Sequence, residues 1–223
     1  MEQNVLIVVA HADDEVLGCG GTIAKRVASG DAVQLLILAD GVSSRPDAVS
    51  SDAVLRSEAA EVAAKILGIH NTVRLDMPDN SLDSLPLLQV VRAIENVIQK
   101  IKPNIIYTHH YGDLNIDHRV THQAVMTACR PLPGTCIKEI YTFEALSSTE
   151  WNSPFVHPFI PQLFVDITDY VHTKMTALNA YSSEMRLAPH SRSFEHIHAL
   201  ALHRGHSAGL TAAEAFMVMR MTQ

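Results

Sequence analysis

The stretch Asn4–Gly21, NVLIVVAHADDEVLGCGG, runs from an apolar, β-branched segment straight into a histidine, three acids and a cluster of glycines. A buried strand of a parallel sheet reads as such a continuous apolar run, and its abrupt end in charged residues places them at the carboxyl edge of the sheet, where ligands collect. Outward from this segment, further apolar runs at Val33–Ala39, Thr72–Leu75 and Asn104–Thr108 alternate with stretches of helical period. These stretches, 22–29, 52–67 and 85–101, end at Gly30, Gly68 and Lys102-Pro103, each a sound helix stop. The pattern predicts an α/β, Rossmann-like fold, a mainly parallel sheet with helices on both faces.

Later segments continue the series. Strands are expected at Lys138–Phe143, Leu163–Ile167 and Ala215–Met221, and helices at 170–182 and 194–204, with a polar loop over 147–161 and a break at "APHSRS", 188–193. No repeat or linker interrupts the chain, so its 223 residues are read as one domain spanning 1–223.

Composition narrows the function. Net charge is −7 and the basic residues are scattered, which argues against a nucleic-acid partner. The run before His11 is too short to span a membrane and no basic leader precedes it, so a soluble protein without an integral membrane segment is expected. Three cysteines without metal spacing suggest neither a disulfide framework nor a thiolate site and favour the cytoplasm. The 13 histidines carry more information, since imidazole is the commonest metal ligand.

Two clusters follow the first and fourth predicted strands. His11 and Asp14 are spaced to aim an imidazole and a carboxylate at one cation, and "THHYGDLNIDHRVTH" offers His109, His110, Asp113, Asp117, His118 or His122 as a third ligand. Two histidines and a carboxylate with an open position suit catalytic zinc and also non-haem iron, Fe2+. Asp13 is then placed to take a proton from water. The competing reading is that Asp13 or Asp14 only caps the following helix. The glycines of "GCGG", 18–21, depart from the dinucleotide pattern, and close backbone packing is the commoner reason for them. Histidines outside the two clusters, His190 apart, receive no role.

Taken in order, these motifs resemble the PIG-L/LmbE family of metal-dependent N-deacetylases. Ala10-His11-Ala12-Asp13-Asp14-Glu15 with Gly18-Cys19-Gly20-Gly21-Thr22 matches the first signature, Leu55-Arg56-Ser57-Glu58 through Leu67-Gly68 the second, and Asp117-His118-Arg119 the third. The resemblance implies zinc held by His11, Asp14 and His118, with Asp13 as general base and Asp117 as a supporting, charge-tuning carboxylate. It implies hydrolysis of an acetamide on a small-molecule amino sugar. Ala12 replaces the usual proline, and Asn115 stands where many members carry a histidine that assists the tetrahedral intermediate. Asn115 could donate to an oxyanion instead, with His109 or His110 as the charged acid. Arg56, His109, His190 and Arg192 are candidate substrate contacts, weighed against an exposed helix arginine at 56 and an ordinary turn at 190–192. The alternatives are a zinc amidase acting on a non-sugar acetamide or a thiol-conjugated sugar, and a Rossmann-type nucleotide-binding module. A homo-oligomer is compatible with all of them.

Overall fold

A computed structural model of the chain describes residues 2–44, 50–153 and 155–222. The opening apolar run forms β1 (Asn4–Val9), which pairs in parallel with β2 (Ala32–Ala39) on one side and β4 (Ile105–His109) on the other. β3 (Asn71–Met77) adds to β2 and β5 (Glu139–Phe143) adds to β4, again in parallel. β7 (Ala213–Met221) runs antiparallel to β5 and carries the short β6 (Leu163–Asp166) at the edge, giving the order β3-β2-β1-β4-β5-β7-β6.

The alternation of β1 explains the layers. Val5, Ile7 and Val9 face a core shared with α1 (Asp14–Ala28), α2 (Ser50–Leu67), α5 (Val171–Ala180) and α6 (Phe194–His206). Leu6 and Val8 face a second core under α3 (Leu87–Ile101) and α4 (Ile116–Ala128). The helices therefore cover both faces, as the apolar pattern predicts. The connections out of β1 and β4 diverge to opposite sides of the sheet, which opens a crevice at the carboxyl ends of those two strands. Among the described residues no helix is long and apolar enough to cross a membrane.

Two local differences from the sequence reading have physical causes. The helix expected to begin at residue 22 already starts at Asp14, with a break at Cys19, whose φ of −149° is non-helical. The break frees the amides of Gly21 and Thr22, and both donate to the buried Glu214 carboxylate at 2.9 and 2.7 Å. Lys174 neutralises that carboxylate at 2.6 Å. A side chain at Gly18 would collide with the Phe143 ring, and a Cβ at Gly21 would lie 2.8 Å from Ile167. The glycines thus let α1 lie directly on its neighbours, and the amides a phosphate would need are taken by Glu214. The second difference is α4. Its buried face carries Asp117, His118, Thr121 and His122, so the apolar period that reveals a helix is missing where this one lines the site.

Candidate metal centre and active site

The turn from β1 into α1 folds back on itself, the His11 N–H donating to Asp14 Oδ2 at 2.9 Å. This aims both side chains toward the first turn of α4, which brings His118. His11 Nδ1 lies 3.4 Å and His118 Nε2 3.3 Å from Asp14 Oδ2. One ligand atom from each of His11, Asp14 and His118 falls within 4.8 Å of the others, close enough to share an ion. The donor set fits a cation for a second reason: Asp14 Oδ1 and His118 Nε2 are buried without a hydrogen-bond partner. Such atoms are costly unless something satisfies them. A zinc ion suits this mixture of two imidazoles and one carboxylate.

Carboxylates surround the histidines. His11 Nε2 sits 3.0 Å from Asp117 Oδ2 and 3.2 Å from Asp79 Oδ1. Asp117 in turn accepts the N–H groups of Asn80 at 2.7 Å and Leu82 at 2.9 Å. Asp113 Oδ1 is 3.2 Å from His118 Nδ1 and accepts the Ser148 hydroxyl, while Asp113 Oδ2 accepts the Thr149 hydroxyl at 2.6 Å. Carboxylates behind ligating imidazoles fix the ring orientation and raise basicity. Burial disfavours the His118 cation, but Asp14 and Asp113 outweigh it and lift the imidazolium pKa to about 9. The same negative surroundings favour a metal ion, whose binding would displace that proton. His109 behaves oppositely, because burial and the His118 charge lower it to about 3 and keep it neutral. Its Nε2 accepts the Ala10 N–H at 2.9 Å, and its ring stacks on His118 with centroids 3.9 Å apart.

Asp13 faces a different way from Asp14. It occupies the N-cap position of α1, yet its side chain makes no capping bond. Its φ of 112° lies outside the regions open to ordinary L residues, a conformation that costs on the order of 1–3 kcal/mol. Oδ2 receives Arg56 at 3.1 Å and Arg192 at 3.0 Å, while the buried Oδ1 has no partner. Burial pushes the Asp13 carboxyl above the ordinary carboxylate value, and the two guanidinium groups oppose it. The Asp13 N–H donates to Glu15 Oε2 at 3.0 Å, and the Tyr181 hydroxyl donates to Glu15 Oε1 at 2.7 Å. Desolvation raises Glu15 to about 7. A cleft opens onto His11 and Asp13, lined also by Arg56, Glu184, Arg192, Asp79, Asn80 and Asn115.

Several sequence candidates find their places here and others do not. His11, Asp14 and His118 meet, with Asp117 against His11. Arg56 is only 6% exposed and paired with Asp13 and Glu184, so the exposed-helix alternative does not hold. Arg192 lines the cleft. Asn115 caps α4 through its side-chain oxygen, which accepts the Asp117 N–H at 2.8 Å, and its amide nitrogen is turned toward Asn80 in the cleft wall. Three assignments need correction. His109 is 0% exposed and spent on the Ala10 amide, so it supports the site from behind and has no surface to offer a substrate. The His110 ring donates from Nε2 to the His157 carbonyl at 2.7 Å and packs against Phe159, and it is not among the residues lining the cleft. His190 does not line the cleft; its Nδ1 accepts the Arg192 N–H, and its ring meets Trp151 edge-on. Asp79, Glu184 and Tyr181 escaped the sequence reading. Asp79 alone carried a signal, as an acid just past the carboxyl end of β3.

The family model described as PIG-L, GlcNAc-PI de-N-acetylase, matches residues 6–129. Escherichia coli K12 has an uncharacterized deacetylase, YaiS, that is 31% identical over 188 residues, covering 81% of this chain and 91% of that protein. The diacetylchitobiose deacetylase of Thermococcus kodakarensis is 28% identical over 225 residues, covering 95% and 81% respectively. Among solved structures, the N,N′-diacetylchitobiose deacetylase of Pyrococcus horikoshii superimposes with a TM-score of 0.78 at 22% identity, over 97% of this chain and 83% of that one. The 4-carboxy-2-hydroxymuconate hydratase GalB of Pseudomonas putida KT2440 has a TM-score of 0.77 at 21% identity, over 100% and 99%. Those two structures have different activities, so they establish the fold, and the family rests on the sequence matches and the motif residues gathered at the site. The chain belongs to the PIG-L family of deacetylases.

Proposed function

We propose that the protein removes the acetyl group from an N-acetylated amino sugar or sugar conjugate, giving the free amine and acetate, with zinc held by His11, Asp14 and His118. The observation that carries this reading is the buried, unpartnered Asp13 Oδ1 beside that ligand set, a free carboxylate oxygen where a base is needed. When bound, zinc supplies positive charge that lowers the pKa of water and polarises the acetyl carbonyl. Asp13 Oδ1 takes the proton as the water oxygen bonds to the carbonyl carbon, and it returns the proton to nitrogen as the C–N bond breaks. Arg56 and Arg192 hold Asp13 Oδ2, which leaves Oδ1 as the oxygen that works. The Asn115 amide nitrogen is the chain's own donor for the developing oxyanion. Asp117 and Asp79 orient His11, and Asp113 orients His118.

The cleft supports a sugar over a non-sugar acetamide. Apart from Gly41, every residue lining it among the described ones is polar or charged, which suits a ring of hydroxyls. The free cysteines Cys19, Cys129 and Cys136 suit a reducing compartment, so we place the reaction in the cytoplasm. The test is acetyl loss followed by mass spectrometry, with zinc-replete protein given N-acetylglucosamine, diacetylchitobiose and a simple non-sugar acetamide. Turnover confined to the non-sugar substrate would replace this reading with the amidase one.

A further inference from the structure

Tyr181 follows the last residue of α5, far outside the matched family segment 6–129, and is fully buried. Its hydroxyl donates to Glu15 Oε1 at 2.7 Å, and the other oxygen of Glu15 accepts the Asp13 N–H at 3.0 Å. Its ring lies under the Arg56 guanidinium, 5.9 Å from centroid to Cζ, and Arg56 reaches Asp13 Oδ2 at 3.1 Å. Tyr181 therefore touches two of the three groups that grip Asp13, Glu15 at the backbone and Arg56 at the carboxylate, with Arg192 as the third.

We infer that Tyr181 is a positioning residue for the general base, acting through Glu15 and Arg56 to hold Asp13 in its left-handed conformation with Oδ1 free. The inference rests on the reading of Asp13 as the base. The physical need is clear from the backbone: at φ 112° an aspartate relaxes unless both ends are held. Glu15 has no water to fall back on, being 0% exposed, so loss of the Tyr181 hydroxyl strands Oε1 and frees the carboxylate to turn away from the Asp13 amide. A tyrosine that merely filled the core would use its hydroxyl elsewhere or not at all.

The experiment compares Tyr181→Phe, Glu15→Gln, Glu15→Leu and the Glu15→Leu/Tyr181→Phe pair, with Tyr141→Phe as a control for losing a buried tyrosine hydroxyl. Tyr181→Phe keeps the ring under Arg56 and should lower kcat by about 10 to 100-fold, the range seen when hydrogen-bonded support behind an active group is removed, while zinc content holds. KM should stay within about 2-fold, because the loss falls on the transition state. Glu15→Gln, which can accept from Asp13 and donate to Tyr181, should retain most of kcat, whereas Glu15→Leu should not. Adding Tyr181→Phe to Glu15→Leu should cost little more, since the two act along one path. Fully multiplicative losses, or wild-type kcat in Tyr181→Phe, would overturn the inference. A second readout needs no substrate: hydrogen exchange of the Asp13 amide should speed up by about 10-fold or more in Tyr181→Phe and stay put in Tyr141→Phe. Unchanged protection refutes the positioning role even where turnover falls. Absence of deacetylation by the wild type counts against the proposed function, and the exchange measurement then decides this inference on its own.

Discussion

Asp13→Asn separates the base from the ligand and from the cap. The amide keeps the shape of the side chain and tolerates the positive φ as well as aspartate does, but it cannot accept a proton at neutral pH. A general base contributes about 10² to 10⁴ in rate. Burial keeps the Asp13 carboxyl basic against two guanidinium groups, so we expect a loss near the middle, about 10³-fold in kcat or roughly 4 kcal/mol of barrier. Stability should suffer less. Arg56 keeps Glu184, and Arg192, with 21% of its side chain exposed, keeps Ser147, so neither guanidinium is stranded. The cost then stays below that of an orphaned buried charge, at about 1–2 kcal/mol, or a fall in Tm of roughly 2–8 °C. Zinc content should be unchanged because His11, Asp14 and His118 are untouched. The assay combines metal analysis, thermal unfolding and steady-state turnover on one preparation. Wild-type kcat in the zinc-loaded variant would refute the base assignment, and loss of zinc would mean that Asp13 and Asp14 have exchanged roles.

Four further outcomes follow from the same geometry. Chelation should abolish turnover and leave the far-ultraviolet circular dichroism intact, since the ligands sit at the sheet edge and the two apolar cores do not depend on them; zinc should restore activity. His118→Ala should weaken zinc by more than the ~10 to 100-fold typical of a supporting contact, whereas His110→Ala, which breaks only the bond to His157, should leave it near wild type; competitive chelator titration reads the difference. Asn115→Asp preserves the cap on the Asp117 amide but removes the donor, so kcat should fall by about 10² or more with α4 intact, and an unchanged kcat would take Asn115 out of the reaction. Gly18→Ala forces a methyl into the Phe143 ring and should cost about 1–3 kcal/mol by urea unfolding; a fully stable variant would disprove the packing account of that glycine.

Much of this site could be read locally. The strand-then-acids pattern at Asn4–Glu15 offers His11 and Asp14 as candidate ligands and Asp13 as the candidate base within a few residues, because a parallel strand must end where its sheet ends and the next residues must face the crevice. His118 needed the second cluster and the family resemblance, since five other side chains in that cluster had equal chemical claims. Choosing among them is a matter of direction: α4 turns His118 inward, while the β4 end buries His109 behind it and swings His110 toward His157. Even the existence of α4 was hidden, because a helix that lines a polar site loses the apolar stripe that announces it.

What the sequence determined alone was the parallel half of the fold, the carboxyl-edge location of the chemistry and the residue types available there, all encoded within windows of a strand and a turn. Only the tertiary structure decided the partners. Asp117 meets His11 across 106 positions and Arg192 meets Asp13 across 179. Tyr181 reaches Glu15 across 166. No short-range period records such pairings, for they arise where loops from separate strands converge, and it is burial at that convergence that ties Asp13 to Arg56 and Arg192 and Glu15 to Tyr181.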